Sequence, residues 1–169
     1  TTGEYNTALG HATLGNNTTG GSNAAFGHHA LLYNTTGSYN TALGRRAVYC
    51  NTTGVQNTAV GHYALHNNTT GQQNTASGAY ALSLQTTGSY NVAMGRTTMQ
   101  QNSTGSYNSA FGYDAMRCNT TGSNNTASGY MALRSNTTAS YNSAFGFKTL
   151  YHSTTGAGNA GMGYISLHK

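Results

Sequence analysis

"NTTGSYNTALG" at residues 34–44 returns as "NSTGSYNSAFG" at 102–112 and as "NTTASYNSAFG" at 136–146. Aligning the turns puts Gly3, Gly20, Gly37, Gly54, Gly71, Gly88, Gly105, Gly122, Ala139 and Gly156 in one column, each 17 residues from the last. A second glycine column, Gly10, Gly27, Gly44, Gly61, Gly78, Gly95, Gly112, Gly129, Gly146 and Gly163, is unbroken. So is an asparagine column: Asn6, Asn23, Asn40, Asn57, Asn74, Asn91, Asn108, Asn125, Asn142 and Asn159. The unit reads T-T-G-x-x-N-x-A-φ-G-x-x-A-L-x-x-N, and ten copies fill residues 1–169 as a single array, the last copy one residue short. A fixed period without slippage makes each unit one turn of a solenoid.

Strand, not helix, fits the unit. Two fixed glycines in every copy would each cost a helix about 1 kcal/mol, and seventeen residues cannot hold two useful helices. They can hold two short strands, such as "NTALG" and "HATL" in the first unit, and two turns. The expected fold is all-β: a parallel β-solenoid, or β-roll, of ten coils. With neighbouring strands roughly 4.8 Å apart, the rod is about 48 Å long.

Each repeated letter then has a physical job. Glycine at the third place suits a turn residue with positive φ, which makes Ala139 the strained copy. The Asn6 column forms a ladder of amides bonded coil to coil, as in cross-β stacks. Hydroxyls of the all-threonine Thr2 column bond turn backbone. The Ala8 column leaves little room inside, so the coil is thin. Two columns carry larger apolar groups. One runs Leu14, Leu31, Val48, Leu65 and onward to Leu167, and the thin core encloses it. The other is Leu9, Phe26, Leu43, Val60, Ser77, Met94, Phe111, Ser128, Phe145 and Met162. Facing outward, this second column makes a stripe that a monomer rarely exposes, and it meets other chains, most simply around a threefold axis. The alternative is that both columns lie inside a monomeric rod. Neither end departs from the repeat to form a cap, which points to a piece of a longer fibre protein.

Charged residues are 5% of the chain, against about 25% in an average protein, with 23 glycines and no proline. The apolar residues recur at fixed places, which argues for order rather than a low-complexity coil. The net charge of +5 is scattered, so no basic face for nucleic acid is expected. No apolar run is long enough for a membrane span.

Chemistry is sparse. Glu4 and Asp114 are the only acidic residues and lie more than six units apart, so no carboxylate pair is available and no enzyme is expected. His11 and His28 share a place in adjoining coils, with Arg45 and His62 following. Two stacked imidazoles hold a metal only with further ligands, and the arginine favours a solvated basic ladder, so neither a metal nor another cofactor is assigned. His29, His66, His152 and His168 read as surface. Cys50 and Cys118 sit in one column four coils apart, about 19 Å by the coil spacing, too far for a disulfide. The column that begins at His11 ends in Tyr113, Tyr130, Phe147 and Tyr164. That aromatic strip either contacts a cell-surface glycan or simply stacks across coils. Asn34, Asn51 and Asn119 head N-T-T triplets of the glycosylation type.

The stretches "NTALGRRA" (40–47), "NVAMGRTT" (91–98) and "NSAFGYDA" (108–115) resemble the N-x-x-A-φ-G-x-x-S/A signature of trimeric autotransporter adhesin heads. The whole unit looks closer still to arrays in tail-fibre proteins of phages and marine bacteria, which often precede an endosialidase-type intramolecular chaperone. The resemblance implies a left-handed, trimeric β-roll in the shaft or head of an extracellular fibre on a virion or cell surface. Sequence reasoning thus expects a rigid structural segment, with a self-assembling end-stacked filament, an ice-binding solenoid and a lectin-like module as alternatives.

Overall fold

The computed structural model describes residues 2–167. It is a β-solenoid. Ten three-residue strands, from Thr7–Leu9 and Ala24–Phe26 through to Ala160–Met162, form one parallel sheet in strict sequence order. Register follows the repeat: Ala8 pairs with Ala25, Ala25 with Ala42, and Gly161 with Ala144. Each residue therefore stacks on its own copy one unit away.

One strand per coil, not two, is the first correction. The segment expected as a second strand ("HATL" in coil 1) is a run of turns. Its twelfth and fourteenth places are left-handed, as at His29 (φ 61°) and Leu31 (φ 51°), and so cannot extend a pleated strand. Coil-to-coil bonding survives nonetheless. The Leu31 N–H donates to the Ala47 carbonyl at 3.1 Å, and the His29 N–H to the His11 carbonyl at 2.9 Å.

The interior has three parts. Ala25, Ala42, Ala59 and their copies project inward from the sheet and are fully buried. Opposite them lie a second alanine file (Ala30, Ala47, Ala64) and the Leu31, Val48, Leu65, Leu82, Met99, Met116 and Leu133 file. Where threonine replaces alanine in that second file, its hydroxyl finds a carbonyl: Thr98 Oγ1 donates to Gly112 O at 2.6 Å. Polar ladders flank this apolar strip. In the Asn6 column each amide does several jobs at once. Asn57 Nδ2 donates to Asn40 Oδ1 (3.1 Å) and Gly71 O (2.9 Å), while Asn57 Oδ1 accepts from the Asn74 N–H (3.1 Å).

The last letter of the unit builds a second ladder that the sequence reading did not assign. Asn34, Asn51 and Asn68 each donate to the Oδ1 of the copy before, at 2.7–2.8 Å. Each also donates to its own turn glycine three residues on, as Asn51 does to Gly54 O at 2.9 Å. Gln85 interrupts this file. Its longer arm accepts from both Asn91 and Asn102, joining the two ladders, while Asn68 Oδ1 is left without a partner.

The third-place glycines are corrected too. They do not have positive φ. They are glycine because a Cβ would stand 2.2–2.5 Å from the next coil's carbonyl, as between Gly20 and Gly37 or Gly54 and Gly71. Ala139, which also lacks positive φ, is therefore not a torsional misfit. The following coil carries Ser153 where the ladder residue should be, and Asn136 Oδ1 and Asn142 Nδ2 beside it go unpaired. Gly10, Gly27, Gly44 and Gly61 have both constraints: φ of 131–136° and a neighbouring carbonyl carbon or oxygen within 2.8 Å of any Cβ. Hydroxyl bonding between coils also falls to a different column. Thr35 Oγ1 donates to Thr52 O and Thr120 Oγ1 to Thr137 O, whereas the Thr2 column is exposed along the whole rod.

Candidate functional site

Function on a rod of this kind has to lie in the outward columns, since the inward ones are consumed by stacking. Alternation along each strand sends the eighth residue in and the seventh and ninth out. The outward sheet face therefore presents Thr41, Thr58, Thr75, Val92 and Ser109 in one file. Leu43, Val60, Met94, Phe111 and Phe145 stand in the other, each 38–47% exposed. The expected outward placement of the Leu9 column is thus correct. No charged residue occupies either file in any coil. The face is flat, uncharged and half apolar from one end of the array to the other.

The eleventh-place column is a side-chain stack of changing chemistry, interrupted at Ala79. His11 and His28 are stacked at 5.2 Å with 15° between planes. Arg45 then reaches His62, Nη1 to Nε2 at 3.2 Å. Further on, Tyr113, Tyr130, Phe147 and Tyr164 stack in sequence at 5.1–5.4 Å, with planes within 8–11° of parallel. Rings in this arrangement spend their faces on each other and turn their edges to water. A sugar stacks on a ring face, so along Tyr130 and Phe147 that contact has no free surface. At Tyr113 the ring is also approached by the Arg96 guanidinium, 5.7 Å from its centroid.

Sequence reasoning missed the wall formed by the twelfth and fifteenth places. Asp114 is almost fully buried there. It accepts from Thr97 Oγ1, and its Oδ2 lies 3.3 Å from Arg134 Nε and 3.6 Å from Arg117 Nη1. Column arithmetic was the available signal: Arg117 is three residues on, and Arg134 is its copy in the next coil. The same wall holds a lattice of Arg46 over the Tyr49 and Tyr63 rings, with Tyr63 stacked on His66 at 4.6 Å. His29 and His66, expected at the surface, are half-buried in it. Burial holds the pKa of both below the usual imidazole value. His28, His11, Arg46 and Arg45 add to the effect at His29, whereas a hydrogen bond to Asn67 partly opposes it at His66. His152 is exposed, edge-on to Tyr151 at 4.7 Å, and His168 lies outside the described residues.

Cys50 and Cys118 are free thiols, both partly buried, and burial raises the pKa of Cys50. The asparagines of the N-T-T triplets are unavailable to a glycosyl donor, because Asn34, Asn51 and Asn119 are fully buried with their amides bonded in the second ladder. Of the two carboxylates, Glu4 is exposed in coil 1 and Asp114 is neutralised by arginines in coil 7. They do not form an acid–base pair. Among the described residues no helix is long and apolar enough to cross a membrane. No protein-family profile matches the chain, and neither a curated protein nor a solved structure does.

Proposed function

We propose that this array is a structural shaft or head segment of an extracellular fibre or surface adhesin. It is a stiff spacer whose sheet faces join like copies, with three around a common axis as the arrangement that the resemblance to adhesin heads implies. The observation that carries the reading is the outward sheet face, where a largely apolar file, interrupted at Ser77 and Ser128, runs along the rod with no charge to desolvate. Solitary soluble chains rarely leave so long an apolar strip in water. A face that repeats every coil is also complementary to copies of itself. The likeness of the A-φ-G-x-x core to adhesin heads supports the same conclusion.

Mass in solution by light scattering tests it. The 17.6 kDa chain is expected at three times its mass. A variant carrying Leu43→Ser, Met94→Ser, Phe111→Ser and Phe145→Ser is expected at single mass with an unchanged circular dichroism spectrum. A wild-type monomer removes the association from the proposal. A mass that climbs with concentration replaces the closed assembly with an end-to-end filament. The glycan-contact reading has less support, because the aromatic column spends its ring faces on stacking. The ice-binding reading has one exposed file that is threonine in every coil, Thr2 to Thr155, and the hydroxyls next to it bond the following coil.

A further inference from the structure

We infer that His11, His28 and His29 form a binding site for a divalent transition-metal ion of the zinc, nickel and copper class, independently of how the rods associate. In an extended strand consecutive side chains point to opposite faces. The left-handed backbone at His29 (φ 61°) abolishes that alternation, so the eleventh- and twelfth-place side chains emerge on one side. His28 and His29 consequently sit with ring centroids 3.8 Å apart, as His62 and Tyr63 do two coils on at 4.5 Å. Stacking of coils supplies the third ring. His11 lies 5.2 Å from His28 and 5.4 Å from His29. One ring nitrogen from each residue lies within 4.8 Å of the others, the one such grouping among the described residues.

A second observation points the same way: His29 Nδ1 is buried and has no hydrogen-bond partner. A buried imidazole nitrogen left unpaired is costly, and an ion is one way to use it. Zinc–imidazole bonds of about 2.0–2.1 Å in a tetrahedron put ligand nitrogens roughly 3.3 Å apart. The gap closes by turning His11 and His28, whose side chains are exposed and need no repacking, onto the half-buried His29. Three protein nitrogens leave a fourth position for water.

Arg45 and Arg46 follow in the next coil and oppose a cation, but their heads lean the other way. Arg45 Nη1 bonds His62 and Arg46 Nη1 bonds the Tyr63 hydroxyl at 2.8 Å, both in coil 4. Three neutral ligands beside two arginines make a site of moderate, micromolar affinity rather than a structural zinc of the thiolate kind. Imidazole suits copper, nickel and zinc, with copper bound most tightly.

Isothermal titration of the whole chain with nickel, zinc and copper, each alone, tests the site. One ion per chain is expected, with micromolar affinity. Loss of even an outer partner of a metal ligand costs about tenfold or more, so His28→Ala and His29→Ala should each weaken binding at least that far. His62→Ala should leave it unchanged. His11→Gln, at an exposed position, keeps the test independent of folding, and circular dichroism checks every variant. No saturable binding by any of the three ions overturns the proposal. So does a loss on His62→Ala as large as that on His28→Ala, which would reveal scattered surface imidazoles instead of a site.

Discussion

The two walls of the coil obey different rules. On the sheet wall the sixth, eighth and tenth places scarcely change across ten units, with Asn, Ala and Gly in turn. On the turn-wound wall the eleventh, twelfth and fifteenth places run through His, Arg, Tyr, Thr, Asp, Met and Ser. Both walls are bonded coil to coil through the backbone, and the sheet wall's own outward seventh and ninth places vary, so backbone pairing does not explain the contrast. The difference is what a side chain meets. A residue is held constant where its side chain must bond its own copy, or where a Cβ would strike the neighbouring carbonyl. It is free to vary where stacked side chains merely lie over one another.

Substitutions that cross this division should fall in a definite order of cost. Gly44→Ala puts a Cβ 2.6 Å from the Gly61 carbonyl oxygen at a φ of 136°, with backbone as the obstacle. Thermal and urea melts should register a loss of about 4 kcal/mol or more, and a cost under about 1 kcal/mol would break the steric explanation. Next comes Asn57→Leu, nearly equal in size. It strips the buried Asn74 N–H of its partner and leaves the Gly71 carbonyl with the Asn68 amide alone. The expected loss is about 3 kcal/mol, measured the same way, and a neutral result would mean that the ladder is ornamental. Smallest is Tyr130→Ser on the variable wall, which removes two ring contacts with Tyr113 and Phe147. It should cost about 1 kcal/mol and leave the coil register intact by hydrogen exchange. A loss as large as that of Gly44→Ala would erase the distinction between the walls.

Much of this was legible in the letters. The period alone sets the coil, the register and the inward alanine, because a stack of identical turns has one way to align. The Asn6 ladder followed from its unbroken column, and the outward Leu9 column was one of two placements that the letters left open. What the letters hid was torsional. Left-handed φ at places filled by Leu, Tyr or Arg has no sequence signature, since glycine is the residue that normally announces it. That is why "HATL" reads as a strand and why the third-place glycine was given the wrong reason. The same blindness affected the candidate site. His29 looked like a surface residue because nothing in its neighbours reveals that the chain turns there and swings the ring toward His28. Asp114 needed only the column arithmetic, and its arginines lie where that arithmetic puts them.

One property of the amide ladders reaches beyond any single coil. In both files the side-chain carbonyls accept from the copy that follows, as Asn6 does from Asn23 and Asn17 from Asn34, with breaks at Asn68 and Asn136. The bond dipoles consequently all share one sense, and the rod has an arrow. A further turn of ribbon, from this chain or another, can extend the files only if its arrow points the same way. An inverted neighbour would press donor against donor or acceptor against acceptor, so any lengthwise growth of such a column has to be polar.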